Sequence, residues 1–209
     1  MLKTQFFLLV FLALLYGCVS NVRTVPQVTE NQDTVYQDGI QTLVSQKENS
    51  LVMIRPSQYT SSTNQRPRFV VTIFNSSPKP FEFSTDNLSV ELNNHALRVF
   101  LTDELIAEVT KKRLSSVDNN SILRPTYAHP NYEKKDSVEK GSFTNSLLNN
   151  DKDLTETILR DTTVFPMSWH GGYVEVDKTE LSGYKNHIIV RVNILNEQHV
   201  FRFYQTEAQ

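Results

Sequence analysis

Five histidines are the side chains best suited to bind a metal ion or to transfer a proton: His95, His129, His170, His187 and His199. None of them forms a short-spaced ligand pair. His187 and His199 flank a predicted hairpin, and the loop that carries His170 could approach them, so a three-histidine zinc site is one hypothesis. Separate surface or strand-end histidines explain the pattern equally well. We therefore predict no metal and no cofactor.

Trp169-His170-Gly171-Gly172 is the most unusual local string in the chain. Two glycines permit a close approach of backbone or a positive φ, and an exposed Trp often anchors an interface. One interpretation is a loop that binds a ligand or a partner, with Trp169 and His170 as the contact residues. The alternative is a turn between strands with Trp169 buried in the core.

The segment from Arg124 to Tyr132 mixes the interface-enriched types Tyr and Arg with His and Pro. It lies in a stretch rich in Asn, Ser and Lys, from about 115 to 150, which predicts a long loop. Tyr127 and Tyr132 are therefore candidate contact residues of a docking segment. A disordered loop without such a role is the alternative.

Patterns for nucleophilic catalysis are missing from the sequence. It contains no Gly-x-Ser-x-Gly, no Ser-x-x-Lys and no second cysteine beside Cys18. The net charge is −2, and no basic run exceeds Lys111-Lys112-Arg113, which argues against nucleic acid as a partner. We predict that the protein is not an enzyme and does not bind nucleic acid.

The only cysteine, Cys18, follows a short leader. The leader carries Lys3 and then an unbroken apolar run from Phe6 to Leu15, as a secretory signal peptide does. A membrane-spanning helix needs roughly 20 apolar residues, so this run is too short for an uncleaved anchor. A single free thiol outside the cytoplasm is a liability for unwanted pairing, which indicates that Cys18 is modified.

Leu15-Tyr16-Gly17-Cys18 resembles the lipobox of bacterial lipoproteins, in which a Leu, a variable residue and a small residue precede an invariant Cys. The resemblance implies cleavage of residues 1–17 and attachment of diacylglycerol to the thiol of Cys18. Since each buried methylene contributes about 0.8 kcal/mol, two or three acyl chains hold a protein on a membrane without a spanning helix. Val19 rather than Asp follows the cysteine, which by the sorting rule of enteric bacteria implies the outer membrane.

The remainder divides into a tether and one domain. Residues 18–33 are polar, with Pro26 and no period of 2 or 3.6, and predict a flexible tether behind the lipidated cysteine. Residues 34–209 form the predicted domain, with the long loop at about 115–150. A hydrophobic content of 39% and twelve Phe supply material for its core.

Alternating and β-branched runs predict a mainly β domain of roughly eight strands. The predicted strands are Leu51–Ile54, Arg68–Phe74, Lys79–Phe83, Asn87–Leu92, His95–Leu101, Thr162–Phe165, Tyr173–Val176, and a final hairpin of His187–Ile194 with His199–Tyr204. Asn93-Asn94 suits a tight turn because Asn tolerates positive φ. Strands at intervals of about ten residues favour an antiparallel sandwich or barrel.

One to three short helices accompany these strands. Apolar residues at roughly helical spacing predict a helix at Thr34–Gln46, despite Gly39. Thr102 can cap a second helix, whose inner face carries Leu105, Ile106, Val109 and Leu114. A third is predicted at Asp151–Arg160.

Phe69–Asn75 followed by Pro80–Phe83, with Thr163–Pro166 before Gly171–Val174, resembles immunoglobulin-like β-sandwich domains of bacterial lipoproteins. The Cys-Trp-Cys signature of true immunoglobulin domains is missing. The resemblance implies an immunoglobulin-like antiparallel β-sandwich.

Three functions are open at this point. The first is a lipid-anchored, non-catalytic interaction or structural module that binds another protein of the cell envelope. The second is a metal- or small-ligand-binding lipoprotein that uses His170, His187 and His199. The third is an envelope hydrolase, which clustered carboxylates with raised pKa values in a cleft would support.

Overall fold

The computed structural model describes residues 21–37, 39–100, 103–108, 111, 157–179 and 185–208. Thirteen strands lie in these ranges, with a 3₁₀ turn at Thr85–Asn87 and a short helix at 103–108. The strands are β1 (Asn21–Gln27), β2 (Asp33–Gln37), β3 (Ile40–Gln46), β4 (Ser50–Pro56), β5 (Thr60–Ser62), β6 (Arg68–Asn75), β7 (Phe81–Phe83), β8 (Leu88–Leu92), β9 (His95–Leu97), β10 (Thr162–Val164), β11 (Trp169–Glu175), β12 (Asn186–Ile194) and β13 (Glu197–Glu207).

The strands form three sheets, and every pairing between them is antiparallel. The six-stranded sheet has the order β5-β1-β13-β12-β8-β9, and the five-stranded sheet has the order β11-β6-β4-β3-β2. The third sheet is the pair β10-β7. The prediction of a mainly β protein with antiparallel sheets and a short helix is confirmed.

One core joins the two larger sheets. On β12, Ile188, Val190, Val192 and Ile194 are buried while the residues between them are exposed or half-buried, which is the period-2 pattern of a strand with one inward face. These side chains pack in one cluster with inward residues of β4, β6 and β13. The two sheets therefore pack face to face, as in a β-sandwich.

A second, smaller cluster covers the outer face of the five-stranded sheet. Val70 and Tyr173 of that sheet pack with Phe100 and with Leu105 of the short helix. The guanidinium of Arg66 lies 3.8 Å from the centroid of the Phe100 ring and donates to Glu108 on the helix at 2.6 Å. Packing and charge together hold the helix on the sheet. The prediction that Leu105 faces inward is confirmed.

The predicted tether is wrong from Asn21 onward, because β1 lies between β13 and β5 in the six-stranded sheet. Val22, Thr24 and Pro26 point inward and are buried, while Asn21 and Arg23 are exposed. Thr24 is a buried polar residue that accepts from Gln205 Nε2 at 3.3 Å. A strand whose inward positions include Thr and Pro has too weak a hydrophobic alternation to be recognised by composition.

The predicted helix at Thr34–Gln46 is also wrong, since β2 and β3 form a hairpin there. Gly39 has φ +75°, which suits the turn and not a helix. Leu43 belongs to the core cluster, whereas Val44, next to it in β3, points to the opposite face of the strand, so the apolar residues of this segment do not share one buried face. Over so short a window the two periods cannot be separated.

The predicted helix at Asp151–Arg160 does not extend through its described part. Ile158 forms a parallel bridge to Tyr173, and the Leu159 amide donates to the Tyr173 carbonyl at 2.9 Å, so this segment is extended. Leu159 is fully buried. Residues 151–156 and the predicted loop at 115–150 lie outside the described residues.

Candidate partner-binding surface

The turns of the molecule gather at its two ends. We call the first the turn end: it consists of the connections 28–32, 47–49, 76–80, 165–168 and 195–196. The other, which we call the termini end, carries the start of β1, the end of β13, the β2–β3 hairpin turn, the segment 57–67, the turn at Asn93-Asn94, and 177–179. The Ala208 amide donates to the Asn21 carbonyl at 2.9 Å, which fixes both chain ends there.

Large apolar side chains are exposed at the turn end. Phe165 is 62% exposed, Met167 68% and Leu195 56%, and Val28 at the edge of this end is also exposed. Among the described residues, only Tyr36 of the large exposed hydrophobics lies elsewhere. Aromatic residues and Met are enriched at protein interfaces, and grouped exposed apolar residues mark interaction sites.

The turn that presents Phe165 and Met167 is fixed by hydrogen bonds. The Ser168 amide and hydroxyl both donate to the Phe165 carbonyl, at 3.1 and 2.6 Å. Met167 has φ +56°, a left-handed conformation that a Met adopts only when its surroundings impose it. Its amide donates to the Asn75 carbonyl at 2.8 Å. Because the turn is rigid, a partner would not have to order it on binding.

Asn75 is the fully buried centre of this end. Its Nδ2 donates to the carbonyls of Lys79 and Val164, at 2.9 and 2.8 Å, and its Oδ1 accepts from the Ser77 amide and hydroxyl. One amide side chain thus ties the turn after β6 to the end of β10, immediately before Phe165. The sequence alone did not indicate this role of Asn75.

A second set of hydrogen bonds connects the remaining turns. Glu197 accepts from the Asn49 amide at 2.9 Å and from the Ser50 hydroxyl at 2.5 Å, and the Ser76 amide donates to the Asn49 carbonyl at 3.1 Å. Leu195, with φ +54°, lies in the turn that precedes Glu197. The turns that carry Met167 and Leu195 are therefore linked through those at Asn75 and Asn49.

Behind Glu197, a buried polar cluster crosses between the two sheets. His199 lies with Nε2 2.8 Å from Ser50 Oγ and Nδ1 2.9 Å from Ser45 Oγ. Ser50 has a single hydroxyl proton, which it donates to Glu197, so His199 Nε2 donates to Ser50. Both serines belong to the five-stranded sheet, whereas Glu197 and His199 belong to the six-stranded sheet.

The cluster has the residue types of a serine hydrolase but not the arrangement. A nucleophilic serine donates its proton to the histidine and is open to substrate, whereas Ser50 donates to the carboxylate and is fully buried, as is His199. Burial lowers the pKa of His199 to about 4, although Glu197 opposes that shift. Burial disfavours the Glu197 carboxylate, but hydrogen bonds from Ser50 and Asn49 outweigh it and lower the pKa. The cluster is suited to holding the sheets together.

Trp169 and His170 lie in β11, not in a turn between strands. Trp169 is half-buried and its ring lies 4.7 Å from that of Phe74, beside the Phe165–Ser168 turn. His170 Nε2 is 2.6 Å from the Arg160 carbonyl, and burial lowers the pKa of the ring. The placement of the string in a loop or turn is therefore wrong, as is the burial of Trp169 in the core. Contact of Trp169 and His170 with a ligand or partner stays a prediction.

Of the two glycines in the string, Gly172 is the one that another backbone segment approaches closely, as predicted. A Cβ at this position would lie 2.6 Å from both the Leu159 nitrogen and the Thr157 carbonyl oxygen. Residues 157–159 cross over β11 at that point.

The structure does not bring His170, His187 and His199 together. In the β12–β13 pairing His187 is opposite Tyr204 and His199 is opposite Val192, so the two stand five residues apart along the strands, about 17 Å. His187 is exposed and His199 is on the inward face. A shared zinc ion, with bonds of about 2 Å, does not fit these positions. The described residues hold no group of three or more side chains arranged to ligate a metal.

A cleft of about 550 Å³ lies at the termini end and is lined mostly by polar side chains. Arg66 and Arg68 in its wall form ion pairs with Glu175 at 3.4 and 2.6 Å. The hydrogen bond to Glu108 is the main reason that the pKa of Arg66 is raised. These charges therefore compensate one another within the protein.

Cys18, Tyr127 and Tyr132 lie outside the described residues, so their predicted roles stay predictions. None of the helices in the described ranges has the length and apolar character needed to cross a bilayer. No protein-family model, curated protein or solved structure matches the chain.

Proposed function

We propose that the protein is a lipid-anchored, non-catalytic interaction module of the cell envelope, in which an immunoglobulin-like β-sandwich presents its turn end to another envelope protein. The observation that carries the proposal is the exposure of Phe165, Met167 and Leu195 on turns held by a continuous set of hydrogen bonds. Apolar side chains on turns whose backbone is already held by hydrogen bonds give a partner apolar area without the entropic cost of ordering those turns.

The anchor is the lipidated Cys18, on the outer membrane. Two residues, Val19 and Ser20, separate it from Asn21, where β1 begins at the end of the molecule opposite the exposed apolar turns. This arrangement supports a protein that is held at one end and binds at the other. Replacement of Cys18 by Ser is expected to release the protein from the membrane fraction. A variant that stays with the membrane would exclude the lipid anchor.

Position-specific crosslinking in intact cells tests the docking surface. A photo-crosslinking amino acid at position 167 or 195 is expected to give one discrete crosslinked protein, and the same amino acid at position 36, at the other end, none. The double variant Phe165→Ser/Leu195→Ser should reduce the crosslink from position 167 by about tenfold or more, because truncated hot-spot residues cost about 2 kcal/mol or more in binding.

The same double variant should keep the stability of the parent within about 0.5 kcal/mol per substitution, because both side chains are largely exposed. A crosslink that persists in the folded double variant, or equal products from positions 36 and 167, would contradict the proposed surface.

A further inference from the structure

The start of β1 is fixed in the sheet. Asn21 pairs with Ser62 of β5 and accepts from the Ala208 amide, and Val22 is 1% exposed. A fully extended chain spans at most about 3.6 Å per residue, so the three residue-to-residue steps from Cys18 to Asn21 reach about 11 Å. A lipid on Cys18 therefore keeps Asn21, at the termini end, within about 11 Å of the lipid headgroups.

Tyrosines and cations are paired on the surface of that end. The guanidinium of Arg23 is 5.8 Å from the centroid of the Tyr59 ring, and Lys185 Nζ is 3.7 Å from that of Tyr204. Tyr36, beside the β2–β3 turn, is 65% exposed. Tyr is enriched at the membrane–water interface, and Lys and Arg are attracted to anionic lipids.

Charge is distributed unequally between the two ends. At the termini end the carboxylates of Glu104, Glu108 and Glu175 are engaged by arginines. The exposed cations that the structure describes there are Arg23, Lys178 and Lys185, and the described anions are Asp177 and Glu207. In the sequence, Asp38 of the β2–β3 turn and Glu180, which follows residues 177–179, add two further carboxylates. The turn end carries Glu30, Asp33, Glu48 and Glu197 against Lys47 and Lys79. Near an anionic surface the turn end, which has the larger excess of carboxylates, is repelled more strongly than the termini end.

We propose that the termini end rests directly on the lipid headgroups, with Arg23, Lys178 and Lys185 facing anionic phosphates and Tyr36 at the interface. The inference rests on the proposed anchor at Cys18. It goes further by fixing the orientation: the exposed apolar turns point away from the membrane and are not inserted in it.

The sole cysteine allows a direct test. The chain beginning at Cys18 is coupled through its thiol to maleimide lipid in vesicles, either of phosphatidylcholine alone or with phosphatidylglycerol. Reductive methylation followed by mass spectrometry then measures how fast each lysine reacts. On the anionic vesicles Lys178 and Lys185 are expected to react about fivefold more slowly than on the neutral ones, which corresponds to about 1 kcal/mol per cation. Lys47 and Lys79 at the turn end are the internal controls and should not change.

Two further conditions test whether the protection is electrostatic and whether it depends on the short connection to Cys18. In 1 M salt, where the Debye length is about 3 Å, the protection of Lys178 and Lys185 should disappear. A flexible Gly-Ser insert between Cys18 and Asn21 should weaken it, because the termini end is then no longer held close. Equal rates on both vesicles, or slower reaction of Lys47 and Lys79 instead, would overturn the proposed orientation. Since the coupling is chemical, this outcome is independent of whether cells lipidate Cys18.

Discussion

At the scale of single residues, His199 makes the stability of the fold depend on pH. Its ring is buried between the sheets and surrounded by the hydroxyls of Ser45 and Ser50 and the carboxylate of Glu197. Burial lowers its pKa to about 4 from an ordinary value of 6.5. Between these two values the unfolded chain binds a proton that the folded chain excludes, so stability falls as the pH decreases.

We expect the free energy of unfolding to be about 3 kcal/mol lower at pH 4 than at pH 7.5, as measured in urea. The lowered pKa of Glu197 acts in the same direction, since its contribution is present above an ordinary pKa of 4.5 and is lost below it. In His199→Gln the loss between pH 6.5 and 5 should be much smaller, whereas in the exposed control His187→Gln it should match the parent. A parent protein equally stable at pH 7.5 and 5 would refute this account.

The candidate surface could be predicted from the sequence only in part. Trp169 drew attention to the correct strand, but the exposed residues beside it are Phe165 and Met167, which local sequence does not distinguish from core residues. The partnership of Ser50, Glu197 and His199 joins positions almost 150 residues apart, and its members come together only through the packing of two sheets. Long-range contacts of this kind leave no local pattern.

At the scale of elements, residues 157–159 cross over β11 at Gly172, and the absence of a side chain there lets the two segments pack closely. Gly172 lies under the backbone of residues 157–159, where the Tyr173 amide donates to the Thr157 carbonyl at 2.8 Å. Both of the nearest atoms to a Cβ at position 172 belong to backbone and cannot rotate away.

Gly172→Ala is therefore expected to lower the free energy of unfolding by about 2–3 kcal/mol, and to speed hydrogen exchange of the Leu159 and Tyr173 amides. Gly39→Ala is the matched control. That position has open space around it, so Ala adds only the strain of φ +75°. We expect the free energy of unfolding to fall by about 1 kcal/mol. If both variants were equally stable by urea unfolding, the close approach would not explain the glycine.

Strands were predictable where one face is strongly apolar. Arg68–Phe74 and His187–Ile194 correspond to β6 and β12 within one residue at each end, and Asn93 and Asn94 adopt the positive φ expected of a tight turn. The prediction of strands failed where polar and apolar residues share the inward face, as in β1, or where the strands are short, as in β2. A period of 2 in hydrophobicity reveals a strand only where its inward residues are apolar, and in β1 and β2 few of them are.

At the scale of the whole molecule, β1 shows why a polar beginning need not be a tether. Val22, Thr24 and Pro26 point toward the core, and the strand pairs with β13 along six residues, from Val22 to Gln27. Pro26 has no amide to donate, and it lies beyond the part of β1 that β5 covers. The strand therefore belongs to the fold and brings the site of the anchor to the surface of the domain.

A chain shortened to begin at Val28 is consequently expected to lose its cooperative unfolding transition, while a chain that begins at Ser20 should unfold with the same midpoint as one that begins at Cys18. Removal of β1 exposes the long edge of β13. It also removes the burial of Val22 and several backbone hydrogen bonds, which together contribute on the order of 5 kcal/mol to the free energy of unfolding. That amount is comparable to the whole stability of a small domain. Thermal unfolding followed by circular dichroism distinguishes the two chains. If the chain that begins at Val28 had the same midpoint as the chain that begins at Ser20, residues 21–27 would be dispensable. The domain would then be connected to Cys18 by a linker long enough to let it move away from the membrane.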